Sequence, residues 1–494
     1  MRLHDLLDDL QLFDASVDTS VEVRGDDGVT VRAVVHDSRH VVEGALFCCI
    51  RGAHTDGHDH AVAAVAAGAT ACLVERWVDV EVPQVRVTSV RAVLGPLCAR
   101  FHGEPARAMR VLGVTGTNGK TTTTYLLERI AAAAGERAGI IGTTGARIDG
   151  ASVPVPHTTP EATELQPLLA RMRDAGVDTV AMEVSSHALD QHRVDGTYFA
   201  VACFTNLSHD HLDYHGTLDA YLAAKQRLFT QPFTSRAVVG VDGEHGRQLA
   251  NRARAAGLDV STFAVDGEAD FCVSDVSIDA ASSAFTIAQG RERHRVHTPL
   301  VGAFNVANAL AAFATSRAAG FEAEPILAAL ADPPLIPGRL EPVASGQAFR
   351  VYVDYAHTPD ALASVLGATR PFVAPGGRLL VVFGCGGDRD RSKRPLMGSV
   401  AAEMSDVAYL TSDNPRSEAP EAIVRDVLAG AGAGSRPVVE LDRRQAIRLA
   451  LRDARPGDVV VIAGKGHESG QTAGGVTVPF DDRVVAREEL EARV

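Results

Sequence analysis

Gly113-Val-Thr-Gly-Thr-Asn-Gly-Lys-Thr-Thr122 joins a short apolar run, 111–114, to a segment with apolar residues at Tyr125, Leu126, Leu127 and Ile130. A run without polar alternation reads as a strand buried on both faces, and the segment after it as a helix. Between them the glycines let the backbone curl until its N–H groups face an anion, and the helix N-terminus adds its positive end. Lys120 supplies a mobile positive charge for the β- and γ-phosphates of a nucleoside triphosphate, best read as ATP. The Thr121 hydroxyl is placed to reach Mg2+. Gly116, Thr117, Asn118, Gly119 and Thr122 complete the cradle. The loop is a variant, because Gly113 lies one residue too far from Gly119 for the GxxxxGK[ST] spacing.

The flanking sequence repeats the pattern of a parallel sheet. Short continuous apolar runs occur at 179–182, 201–204, 350–353, 379–383, 407–410 and 459–463. In such sheets ligands sit at the carboxyl ends of strands. The runs lead into Glu183-Val-Ser-Ser-His187, Thr205-Asn-Leu-Ser-His-Asp-His211, Asp354-Tyr-Ala-His357, Gly384-Cys-Gly-Gly-Asp-Arg389, Thr411-Ser-Asp-Asn-Pro-Arg416 and Gly464-Lys-Gly-His-Glu468, all polar. The first hundred residues differ, with short strands at 29–35, 71–74 and 85–87 and an alanine-rich helix at 60–67. Residues 102–110 read as a connection, and Pro333-Pro334 with Pro337-Gly338 break the chain again. The expected fold class is α/β in three domains, 1–107, 108–337 and 338–494, the central one built on a P-loop parallel sheet.

Composition narrows the partners. A net charge of −14 argues against a nucleic-acid or anionic-membrane surface. The start of the chain lacks the basic residues and apolar core of a signal peptide, and no run of about 18 apolar residues occurs, so a cytoplasmic protein with no membrane span is expected. Seven dispersed cysteines fit reduced thiols better than a disulfide framework. A monomer is expected.

Mg2+ prefers oxygen ligands. Thr121 offers a hydroxyl and Glu183 a carboxylate from a neighbouring strand end. His211 is a less usual ligand, drawn in by the density of Ser208-His-Asp-His-Leu-Asp-Tyr-His215. That histidine cluster also suits Zn2+, but a phosphate loop in the same sheet favours Mg2+. Lys225 falls on the apolar stripe of a helix over 218–229, in register with Leu218, Leu222 and Phe229. A lysine there must snorkel, pair with an anion, or be chemically altered.

These motifs together resemble the Mur ligases, the ATP-dependent amino-acid ligases of peptidoglycan synthesis. The resemblance rests on Gly116–Thr122, 183–194, 205–217, Phe304-Asn-Val-Ala-Asn308, Pro337-Gly-Arg-Leu-Glu341 and Val353-Asp-Tyr-Ala-His-Thr-Pro-Asp360, and covers nearly the whole chain in order. It implies an N-terminal UDP-binding domain, a central ATPase domain and a Rossmann-like C-terminal domain that binds the amino acid. It implies phosphorylation of a substrate carboxylate by ATP, then attack by an amine. By resemblance, Lys120, Glu183, His211 and Lys225 form the catalytic set; Thr121, Glu183, His211 and a carbamylated Lys225 serve Mg2+; and Asn305, Arg339 and Asp354 help hold ATP. His36, Ser38, Ala53, His54 and Thr55 match the uridine side. Thr158, Thr159, Ser185, Gln191 and Arg193 match positions contacting a muramoyl dipeptide. His157 departs from the family, where Asn is common.

Within the family the pattern is nearest the branch that acts on UDP-N-acetylmuramoyl-L-alanyl-D-glutamate and adds meso-2,6-diaminopimelate. That amino acid carries a distal carboxylate and ammonium. A carboxylate calls for a guanidinium fork, which Arg389 and Arg416 can supply. Gly464 and Glu468 can take the ammonium. Asp413-Asn-Pro-Arg416 is the pattern of the diaminopimelate branch, and lysine-adding relatives lack its arginine. Three other readings share part of the pattern: a lysine-adding relative, a folylpolyglutamate synthase-like ligase, and a nucleotide-binding scaffold without ligation. The N-terminal Asp37-Ser-Arg39 and the 413–416 motif speak against the second, and intact Lys120, Glu183, His211 and Lys225 against the third.

Overall fold

The computed structural model describes every residue except 9, 11, 15, 19, 53, 54, 433–436 and 494. The apolar runs assemble into three sheets in chain order. The first has five strands, ordered Glu22–Arg24, Gln84–Arg86, Ala69–Val74, Ala45–Cys48 and Ala33–Val35. All its neighbours are parallel except the first pair.

The central sheet has eleven strands, and its middle holds the phosphate loop. Arg110–Thr115 lies between Val201–Phe204 and Thr179–Glu183, parallel to both. Every residue of Thr179–Glu183 and Val201–Phe204 is buried, as continuous apolar strands require. Helix Lys120–Ala133 packs with Ala303–Ala318 and Ala323–Ala331 on one face. Leu165, Leu169, Met172, Leu249 and Ala253, from helices Ala162–Asp174 and Glu244–Ala255, cover the other. The three strand carboxyl ends thus deliver Gly116–Lys120, Glu183 and Asp210–His211 to one edge.

The C-terminal sheet has six strands, ordered Glu341–Pro342, Arg350–Asp354, Val459–Ala463, Leu379–Phe383, Val407–Leu410 and Val438–Val439, parallel after the first pair. Its strand ends place 384–389, 411–416 and 464–468 side by side. Behind them Arg443 is wholly buried. It donates from Nε and Nη2 to the Asp482 carboxylate at 2.8 and 2.7 Å and from Nη2 to the Ala463 carbonyl at 2.9 Å. Removing one partner strands the other charge in the core. Asp482→Ala is therefore expected to cost about 3–5 kcal/mol, read as a lower urea midpoint by circular dichroism.

The structure corrects several local expectations. The 29–35 strand is ordered as a strand only at Ala33–Val35, with Thr30 in an isolated bridge to Arg2. The helix at 60–67 is Ala61–Ala66, led by a 3-10 turn at Gly57–His60. The helix expected over 218–229 ends at Gln226, and the chain continues in tighter turns. The region 271–298 departs from the parallel pattern expected of the sequence flanking the loop. Phe271–Ile278, Ser283–Gln289 and Glu292–Thr298 form an antiparallel extension of the central sheet. The reason is visible in Ser283–Gln289, where Ser283, Phe285 and Ile287 are buried and their neighbours less so, the period of a one-sided strand.

Candidate active site

The phosphate loop is held from both sides. Asn118 N–H donates to Asn206 Oδ1 at 2.9 Å, and Thr205 Oγ1 to the Asn118 carbonyl at 2.6 Å. Lys120 Nζ donates to the Gly116 and Thr117 carbonyls, both at 2.9 Å. Gly119 caps the following helix at φ +88°, and a Cβ there would lie 2.3 Å from Asn308 Oδ1. Gly119→Ala is thus expected to raise the KM for ATP by about tenfold or more, a cost of about 1–3 kcal/mol from backbone strain, measurable by initial rates at varied ATP.

Around the loop lies a cavity of about 820 Å³, lined among others by Lys120, Thr121, Thr158, Glu183, Ser185, His211, Lys225, Arg339 and Asp354. Glu183 is buried, and its carboxylate accepts the Thr143 N–H and Oγ1–H, both at 2.9 Å. Arg339 Nη2 donates to Thr121 Oγ1 at 2.9 Å, and its guanidinium lies 4.7 Å from the Tyr355 ring centre. A hydroxyl and a carboxylate in a roomy polar cavity fit Mg2+, which keeps several waters and substrate oxygens. Among the described residues no three His, Cys, Asp or Glu side chains converge as a metal cage, so a closed Zn2+ centre of that kind does not fit.

A second cavity, of about 660 Å³, adjoins the first. It is lined by Asn118, Gly119, Thr121, Thr122, Phe304, Asn308, Arg339 and Asp354 among others. Asn305 does not line it. Its Nδ2 donates to the Val301 carbonyl at 2.9 Å, and its Oδ1 accepts from Asn308 Nδ2 at 3.1 Å. Asn308, nearly one turn further along the helix, faces the cavity, so Asn305 acts on it from behind. Asp354 accepts N–H bonds from Leu340 and Ala356 at 2.7 and 2.8 Å, and burial raises its pKa against the pull of Arg339.

Lys225 does not snorkel. It is 1% exposed, donates to the Gly116 carbonyl at 2.9 Å, and sits 4.4 Å from the Tyr221 ring centre. Burial, aided by the Lys120 ammonium, pushes its pKa well below the ordinary lysine value, with Asp210 opposing. Burial likewise holds His211 neutral, far below the usual histidine range. Asp210, itself buried, is ringed by His211 at 3.4 Å, His357 at 3.8 Å and Lys393 at 3.9 Å. Lys393, the two imidazoles and the His211 backbone N–H together hold its carboxyl low despite burial.

Asp210, His211, Tyr355 and His357 also line a third cavity, of about 750 Å³, with Arg389, Asp413, Asn414, Arg416, Gly464 and Glu468. Arg416 donates from Nη1 to the Gly387 carbonyl at 2.7 Å. Asn414 Nδ2 donates to Glu468 Oε2 at 2.8 Å, and the buried Lys465 ammonium reaches Asn414 Oδ1 at 3.1 Å and Glu468 at 3.2 Å. Pro415 is buried beneath the loop.

The remaining expected residues fall in two groups. Thr158, Thr159, Ser185, Gln191 and Arg193 gather beside Glu183. Thr159 Oγ1 donates to the Glu183 carbonyl at 2.9 Å, Thr158 lies 3.2 Å from Thr143 Oγ1, and Ser185 caps helix Ser186–Asp190. Arg193 donates to Gln191 Oε1 at 2.8 Å and lies 3.0 Å from Glu161. His36 and Ser38 belong to the N-terminal sheet region, where His36 Nδ1 meets Thr163 Oγ1 at 2.6 Å. Thr55 is exposed and its carbonyl accepts the Gly52 N–H. Ala53 and His54 lie outside the described residues. Sequence reasoning did not single out Thr143, Asp210, Asn308, His357, Lys393 or Lys465. Asp210, His357 and Lys465 stood in the polar clusters after strands, which was their signal.

A phosphate loop at the centre of a parallel sheet, closed by a second parallel sheet whose loops bring arginines and carboxylates to the same space, defines a nucleotide-dependent enzyme that joins a second substrate to a phosphorylated one. The chain belongs to the Mur ligase family. Models described as Mur ligase family catalytic domain, Mur ligase middle domain, and Mur ligase glutamate ligase domain match residues 30–102, 114–316 and 338–466. It is similar to the UDP-N-acetylmuramoyl-L-alanyl-D-glutamate–2,6-diaminopimelate ligases of Geobacillus thermodenitrificans, 45% identical over 93% of this chain and 95% of that one, and Gloeobacter violaceus, 45% identical over 100% and 99%. A solved structure of a ligase of that same name superposes with a TM-score of 0.69 at 34% identity, covering 100% of this chain and 99% of that one. Among the described residues no helix is long and apolar enough to cross a membrane.

Proposed function

We propose that this ligase joins meso-2,6-diaminopimelate, through an amine, to the D-glutamyl γ-carboxylate of UDP-N-acetylmuramoyl-L-alanyl-D-glutamate, in cytoplasmic peptidoglycan synthesis. The observation that carries the reading is the shared wall. Asp210, His211, Tyr355 and His357 border both the phosphate-loop cavity and the cavity holding Arg389, Arg416 and Glu468. A phosphorylated carboxyl on one side can therefore meet an amino acid on the other.

A carboxylate is a poor electrophile, so the reaction needs a leaving group. The γ-carboxylate oxygen attacks the γ-phosphorus of ATP and ADP departs. The diaminopimelate amine attacks the acyl carbon, inorganic phosphate leaves, and the amine gives up a proton. Lys120 and the loop N–H groups stabilise charge on the transferring phosphoryl group. Thr121 and Glu183 would hold Mg2+, which when bound neutralises phosphate charge. Asp354 and Arg339 close the nucleotide side, with Asn305 supporting Asn308. Thr158, Thr159, Ser185, Gln191 and Arg193 position the dipeptide, and His36 and Ser38 the uridine end. Arg389 and Arg416 take the distal carboxylate, while Gly464 and Glu468 take the distal ammonium. The division at 1–107, 108–337 and 338–494 is supported by each stretch carrying its own main sheet.

Lys225 acts as a neutral amine. It adds to CO2, forming an N–C bond and releasing one proton, and the resulting carbamate supplies a carboxylate-like anion beside the phosphate loop. With ATP, the UDP-linked dipeptide and diaminopimelate, the protein is expected to release phosphate. Full turnover with lysine and none with diaminopimelate would sink the substrate assignment.

A further inference from the structure

The hairpin Gly470–Ala473 and Val476–Pro479 forms a two-stranded sheet that joins none of the others. Val476 is 63% exposed and Val478 49%. An isolated hairpin of this size is marginal in water, so its attachments matter. They converge on one place. Arg416 N–H donates to the Thr472 carbonyl at 3.0 Å, and Gly474 N–H to the Arg416 carbonyl at 2.7 Å. Thr472 N–H donates to Asn414 Oδ1 at 3.0 Å, and Gln471 Nε2 to the Asp413 carbonyl at 2.8 Å.

Arg416 needs such support. Its φ is +55°, the left-handed region that a residue with a Cβ enters only under constraint. The two backbone bonds to the hairpin grip the Arg416 peptide groups on either side of that φ. Its side chain is thereby sent to the Gly387 carbonyl and the cavity beyond. The hairpin can do this because Gly474 and Gly475, at φ +56° and +79°, make the tight turn that matches strand twist.

We propose that this hairpin is a specificity clamp. Gln471, Thr472 and Gly474 are positioning residues that hold Arg416 in the one backbone state that aims its guanidinium at a distal carboxylate. The inference rests on the reading of Arg416 given under Proposed function. It assigns amino-acid selection to a segment that never enters the cavity.

The test uses the full chain and phosphate release at saturating ATP and UDP-linked dipeptide. Gly474→Val puts a β-branched residue at the left-handed position, and Gln471→Leu removes one anchor without touching the turn. Gly474→Asn, which tolerates positive φ, is the rescue. Gly474→Val is expected to raise the KM for diaminopimelate about ten- to hundredfold and to lower its preference over lysine by the same factor. The kcat and the KM for ATP should stay within about threefold. Gln471→Leu should shift in the same direction, and Gly474→Asn should stay near the unmodified chain. Equal losses in kcat and ATP KM would mark a merely structural role and overturn the clamp. So would diaminopimelate kinetics unchanged in both Gly474→Val and Gln471→Leu. If the unmodified chain fails to use diaminopimelate, the parent reading falls and the clamp with it.

Discussion

Lys225→Ala is expected to lower kcat about a hundred- to a thousandfold, while the KM for ATP stays within about threefold. The argument starts from burial. A lysine at 1% exposure that shares the Gly116 carbonyl with Lys120 faces two costs of being charged: desolvation and its neighbour. A plain cationic role there would duplicate Lys120 at high cost. A neutral amine, in contrast, can capture CO2 and become an anion beside the phosphate loop. Lys225→Arg separates the two. Guanidinium stays protonated above pH 12 and cannot form the carbamate, so the arginine protein should be as inactive as the alanine one. Substantial activity in Lys225→Arg would show that positive charge is what matters.

The same burial fixes a stability sign. The folded-state pKa of Lys225 is depressed below its unfolded value. Below the unfolded pKa the unfolded chain binds the proton more tightly, so the unmodified amine destabilises the fold at neutral pH. That penalty fades as pH rises towards the unfolded value. Lys225→Met should therefore melt at or above the temperature of the unmodified apoprotein at pH 7, although it is inactive. A clear fall in melting temperature would mean that the buried amine contributes to stability, contrary to the charge argument.

How much of this could be read beforehand depends on the range of the interaction. Continuous apolar runs such as Leu379–Phe383 and Val459–Ala463 declare themselves because burial on both faces leaves no polar alternation. The polar clusters after them follow from strand direction alone. The antiparallel strands at 271–298 were harder, since a half-buried strand with Arg293, Arg295 and His297 on its open side resembles a loop. Asn305 and Asn308 both lie on helix Ala303–Ala318, and only packing shows which one meets the cavity. Thr143 had no local signal, because its link to Glu183 spans 40 residues. Asp210 stands in the polar run 205–211 beside His211, but its contacts with His357 and Lys393 form only when the C-terminal sheet docks.

Arg416→Ala is expected to raise the KM for diaminopimelate about thirtyfold to a thousandfold, the loss of a desolvated charge-assisted contact worth about 2–4 kcal/mol. The KM for ATP should hold, because Arg416 borders the third cavity and not the two around the phosphate loop. Lysine lacks the distal carboxylate, so its weak use should change little, and preference for diaminopimelate should collapse. Arg416→Lys tests geometry against charge. The ammonium restores +1 but not the planar pair of donors, and one guanidinium N–H is already committed to the Gly387 carbonyl at 2.7 Å. A lysine would have to choose between that anchor and the substrate, so it should recover only part of the loss. Parallel losses for ATP and diaminopimelate in Arg416→Ala would instead make Arg416 a structural support of the C-terminal loops. Full recovery in Arg416→Lys would reduce recognition of the distal carboxylate to simple charge.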